Sequence, residues 1–149
     1  MQLTTLVHSF VATSDSIAPA VLRLALGIMI LPHGLQKTLG WFGGYGFKGT
    51  VGYLTGSVGA PWALAVLAIL VESVGGAMLI AGLGTRFAAL GLIGVMAVAA
   101  RQHWSNGFFM NWAGAQKGEG VEFHLLALGI AVALLFLGGG ALSVDGLLR

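Results

Sequence analysis

Cysteine is absent from the 149 residues. That excludes disulfides, thiolate zinc sites, Cys-ligated iron–sulfur clusters and any thiol or persulfide intermediate carried on this chain. Charge is scarce as well. Seven Lys and Arg with five Asp and Glu amount to 8% of the chain, against about 25% in soluble domains. So few charges leave no nucleic-acid footprint. A secretory leader is not expected either: MQLTTLVHSF has no basic opening, and no small-x-small cleavage site precedes the first apolar run.

What remains is apolar. Hydrophobic residues make up 57% of the chain, and mean hydropathy is +0.93. The composition is that of an integral membrane protein with little soluble mass. A span needs about 20 apolar residues, so the length allows at most about five. Four are expected, over about 17–36, 61–82, 87–103 and 121–139, in one all-α domain covering 1–149. The small residues Ser73, Ala77 and Ala81, and Ala88, Gly91, Gly94 and Ala97, form stripes suited to close helix packing. Gly82 to Arg86 reads as a tight turn that makes the second and third spans antiparallel neighbours.

Two segments lie outside this pattern. Over residues 1–13, Leu3, Leu6, Val7, Phe10 and Val11 share a helical face, which suits a short interfacial helix. Residues 40–60 hold eight glycines interleaved with Trp41, Phe42, Tyr45, Phe47 and Tyr53. An interfacial or re-entrant segment accounts for that mixture, with a short helix over Phe47 to Leu54.

Polar groups inside the apolar runs are the informative exceptions. A charge at mid-bilayer costs roughly 2.5–3.5 kcal/mol even on lenient scales. Arg23 lies roughly 9 Å inside the end that carries both termini, and Glu72 roughly 14 Å inside it. A buried Arg23–Glu72 ion pair is therefore expected, as a staple or as a proton or ligand site. The break Pro32-His33-Gly34 should kink the first span.

Alternating span direction collects the other polar residues at the opposite, loop end. His33, Gln36, Lys37, Arg101, His103, Glu122 and His124 all land there, with Trp41, Trp62, Trp104 and Trp112 as interfacial aromatics. Arg86, Asp145 and Arg149 at the terminal end leave that end sparse. The loop-end cluster reads as interfacial decoration or as a site for a quinone head group. Haem would need two axial histidines at matched depth mid-span, and no such pair exists. A metal site from His33, His103, His124 and Glu122 lacks any local ligand spacing, so no metal is assigned.

Arg23, Leu26 and Gly27, then His33 to Lys37 (HGLQK), then Val58 to Arg86 with Glu72, Gly75, Gly76, Gly82 and Thr85, resemble the DoxX family of small four-span membrane proteins. His103, Gly107 to Phe109, Glu122 and Gly138 to Leu148 continue the resemblance, which covers about 17–148. The tail departs from it, with Gly138-Gly139-Gly140 where relatives often have Gly-Pro-Gly. The resemblance implies a four-helix membrane bundle in the inner membrane and a link to electron transfer, since related subunits belong to a thiosulfate:quinone oxidoreductase. On that reading the chain is the membrane subunit or anchor of a redox assembly, with a membrane or peripheral redox partner and at most a share in catalysis. Arg101, His103 and His33 would hold quinone oxygens and Glu122 would exchange protons. The alternatives are a non-enzymatic scaffold docking other transmembrane helices, a homo-oligomer among them, and, less favoured, a small transporter. Lys37, Lys48, Arg101 and Lys117 at the loop end lean towards a cytoplasmic loop end.

Overall fold

The computed structural model describes residues 12–148, all helix, turn and loop. The amphipathic segment expected over 1–13 lies, except for its last two residues, outside the described residues, as does Arg149. Four long helices form the body. They are α1 (Ala18–Thr38), α3 (Trp62–Ala81), α4 (Thr85–His103) and α5 (Glu122–Leu137). A short α2 (Gly46–Gly56) lies between α1 and α3, and a single turn α6 (Val144–Leu147) closes the chain. α1 and α3 are long and apolar enough to cross a membrane; α5 is apolar but 16 residues long.

The core draws on all four long helices: Leu26 and Ile30, Leu79, Ala88 to Met96 on one face, and Ala127, Ala131 and Leu134. The outer surface is apolar too. Ile28, Leu64, Leu67, Phe87, Leu90, Val98, Leu126 and Phe136 are exposed. A surface of that kind suits hydrocarbon rather than water.

α1 and α3 pack antiparallel at very short range, and glycine sets the register. A Cβ on Gly34 would fall 2.4 Å from the Ser73 backbone, and one on Gly76 would fall 3.0 Å from the Leu31 backbone. The backbones therefore touch, the close approach that small residues permit. This register pairs Gly34 with Ser73 and Gly27 with Ile80, so Glu72 lies opposite the loop-end half of α1. Arg23 lies level with the α3–α4 turn.

α1 stays helical through Pro32, His33 and Gly34. α3 is the irregular helix by its hydrogen bonding, since Val71–Gly75 forms a wider π turn carrying Glu72. One expectation is corrected here: Arg23 and Glu72 do not pair. Depths counted from the span ends assumed that α1 and α3 finish flush, whereas α1 overhangs the α3–α4 turn by more than a helical turn.

The terminal end is where Arg23 finds its partners, and all of those that receive its hydrogen bonds are backbone. Its guanidinium donates to the carbonyls of Leu79 (3.1 Å), Ile80 (2.7 Å), Gly139 (2.9 Å) and Leu142 (2.7 Å). Leu79 and Ile80 close α3; the Leu79 carbonyl also accepts from the Gly82 amide at 3.2 Å, and Ile80 is among the last carbonyls of the helix, which have no partner within it. Asp145 does the reciprocal work at the start of α4, accepting from the amides of Gly84 (2.6 Å) and Thr85 (2.9 Å). A carboxylate at a helix N-terminus is favoured by the helix dipole. Arg86 donates to the last-turn carbonyls of Leu135 and Phe136 on α5. The end expected to be sparse is thus the more thoroughly bonded one.

Candidate functional site

Starting from the floor, α3 and α4 touch where Val71 meets Gly91; a Cβ on Gly91 would fall 2.9 Å from a Val71 methyl. Towards the loop end the two helices diverge. The wedge between them is a cavity of about 810 Å3, roofed by residues 43–58. Its walls are Leu64, Leu67, Ala68 and Val71 from α3 and Leu90, Gly94, Val95, Val98 and Ala99 from α4. Gly94 does not serve helix packing as expected, because a Cβ there would meet nothing within 4 Å.

The polar lining of the cavity comes from four elements. α1 supplies Gln36 and Lys37, the roof supplies Tyr45, Thr50 and Tyr53, α3 supplies Glu72, and α4 supplies Gln102 and His103. The Lys37 ammonium donates to Glu72 Oε2 in an ion pair. Glu72 is almost wholly buried, with 5% of its side chain exposed, against 33% for Lys37. Nothing in composition pairs these two. The signal was Glu72, the lone acid within an apolar run, and the loop-end position of Lys37; the α1–α3 register brings them together. π turns such as the one carrying Glu72 recur at functional sites. The volume falls within the roughly 300–1,000 Å3 of small-molecule sites.

The other loop-end residues divide into a second group. His103 and His124 stack, with ring centroids 4.9 Å apart and planes 16° from parallel. Phe123 contacts both His124 and His33. His103 and His124 meet face to face, which does not offer two ring nitrogens to an iron between them. Among the described residues no three His, Asp or Glu side chains are grouped to hold a metal ion. Glu122 is engaged by the loop, its Oε2 accepting from the Met110 amide at 3.2 Å. Glu119 accepts from the Asn111 amide, and its carbonyl accepts from Asn106 and lies 3.1 Å from His103 Nδ1.

Of the residues expected to hold a quinone, Lys37 and His103 line the cavity, while His33, Arg101, Glu122 and His124 do not. Tyr45, Tyr53, Gln102 and Gly94 were not foreseen. Trp41, Trp62, Trp104 and Trp112 are all largely exposed on the segments that meet at the loop end, as interface anchors would be.

The family model DoxX matches residues 18–112, from the start of α1 through the loop that follows α4. Neither the curated proteins nor the solved structures provide a match.

Proposed function

Since the chain belongs to the DoxX family, we propose that it is a multi-pass protein of the inner membrane and the membrane subunit of a redox assembly, holding a lipid-soluble carrier of quinone type in the α3–α4 cavity. α1, α3, α4 and α5 cross the bilayer, and α2 lies at the interface over the cavity. The 16 residues of α5 span roughly 24 Å, short of the ~30 Å hydrocarbon core. Modest local thinning accommodates a deficit of that size.

The observation that carries this reading is the cavity itself, with apolar walls, the Lys37–Glu72 pair beside its floor, and Gln102, His103 and the tyrosines as further polar lining. A ring with carbonyl or hydroxyl oxygens can bond Lys37, Gln102, His103 or the tyrosines, and its tail lies along Leu64, Leu67, Leu90 and Val98. Glu72 and His103 are the groups placed to exchange protons with a head there.

The test is a mass spectrum of the organic extract of protein purified in mild detergent. Quinone at near one per chain supports the redox reading. An extract holding phospholipid alone, with a stoichiometric membrane partner, replaces it with the scaffold. The topology is tested in parallel on the cysteine-free chain. Ser57→Cys and Ser105→Cys should react with an impermeant thiol reagent from one side, and Leu147→Cys from the other.

A further inference from the structure

The cavity opens sideways. Leu64, Leu67, Leu90 and Val98 line it, yet they remain 57%, 53%, 54% and 60% exposed. A side chain that both lines a cavity and faces outward marks a portal, and this portal lies among apolar residues of α3 and α4. Its floor is closed by Val71 against Gly91. The route into the site is therefore lateral, from the hydrocarbon.

The charge of the polar lining restricts what can use that route. Lys37 and Glu72 are the formal charges lining the cavity; they are opposite and in contact. An anionic head would draw Lys37 from Glu72 and leave a carboxylate 5% exposed with no counter-charge, which a low-dielectric site penalises heavily. A cationic head would strand Lys37 by the same argument. A neutral head strands neither. The ammonium has three donors and spends one on Glu72, so another is free for a carbonyl or hydroxyl oxygen. Gln36, Thr50, Gln102 and the two tyrosines add uncharged partners.

We infer that the cavity takes from the bilayer an amphiphile with a neutral, oxygen-bearing head, admitted between α3 and α4 and held at the Lys37–Glu72 pair. This rests on the cavity being the binding site in the proposed function, but not on the redox role.

The experiment measures binding of two probes sharing one chain, monoolein and oleate, to the purified full-length protein by native mass spectrometry. Wild type should hold monoolein at least about tenfold more tightly than oleate, because one head keeps the ion pair and the other breaks it. Glu72→Gln releases Lys37 and should raise oleate binding about tenfold while leaving monoolein nearly unchanged. Gly94→Phe fills the open space on the α4 wall and should abolish both; Val98→Trp blocks the portal from the neighbouring turn if that variant fails to fold. Oleate binding equal to or tighter than monoolein in wild type overturns the inference. So does monoolein binding that survives both blocking variants. A protein with no quinone in its extract but the expected head preference loses the redox reading and keeps this one. Quinone that persists in Gly94→Phe does the reverse.

Discussion

The two ends of this bundle hold charge in opposite ways. At the terminal end Arg23, Asp145 and Arg86 bond backbone groups of helix ends and turns, most of which have no partner within their helix. At the loop end Lys37 and Glu72 bond each other, beside an open cavity lined with further hydrogen-bonding groups. The first arrangement is closed: guanidinium and carboxylate are consumed by fixed carbonyls and amides. The second is open, since a lysine head has donors to spare. Burial alone does not distinguish a structural charge from a binding one; the identity of the partner does.

The largest effect should come from breaking the closed end. Arg23→Met leaves the carbonyls of Ile80, Gly139 and Leu142 without this donor, and Leu79 with the Gly82 amide alone. At ~1–3 kcal/mol for each buried group left unbonded, the loss is several kcal/mol. Membrane accumulation by quantitative immunoblot should collapse, and Arg23→Lys should not restore it, because an ammonium cannot reproduce the planar fork. Asp145→Asn keeps one acceptor of two and should cost less, about 1–2 kcal/mol. Normal accumulation of Arg23→Met would erase the contrast between the ends.

The open end should respond less, and with a different signature. Lys37→Met leaves the buried Glu72 carboxylate uncompensated and should lower the unfolding temperature in detergent. Replacing both, as Lys37→Met with Glu72→Leu, should recover most of that loss, because a buried pair is often matched by apolar residues of similar size. The coupling should lie within the ~0.5–3 kcal/mol seen for residues in contact. Recovery of stability without recovery of ligand binding would mark the pair as retained for function. Additive losses would mean that the ion pair does not form in the membrane.

Much of the helix pattern was legible in the sequence, because a long apolar helix is declared by composition and length. The helix bounds, the tight turn at Gly82 to Arg86 and the short helix after Trp41 all follow from local signals. The register was not legible. It depends on where Gly27, Gly34 and Gly76 allow two backbones to touch, and an offset of about two helical turns moved Glu72 from Arg23 to Lys37. Nor could the partners of Arg23 be read, since carbonyl oxygens carry no residue identity. The loop-end cluster was located by topology alone, which fixes depth but not azimuth. His33, Arg101, Glu122 and His124 share that depth with the cavity and lie round the bundle from it. Gly94 was misassigned for the same reason, as a stripe of small residues looks alike whether it meets a helix or a void.

That ambiguity gives the smallest and most local prediction. Gly94 sits within α4 with nothing within 4 Å of where a Cβ would stand. Were α4 pressed against α3 at this point, Gly94→Ala would force the helices apart and destabilise the protein, as Gly91→Ala should where Val71 is 2.9 Å from the added carbon. With the wedge open, the methyl group enters empty space and the helix loses a flexible residue, which stabilises by about 0.5–1 kcal/mol. The pair of variants, one helical turn apart, therefore should move the unfolding temperature in opposite directions. A fall in both would mean that the wedge closes in the membrane. A rise at Gly94 with a fall at Gly91 would place the floor of the cavity between them, and with it the depth to which a ligand reaches.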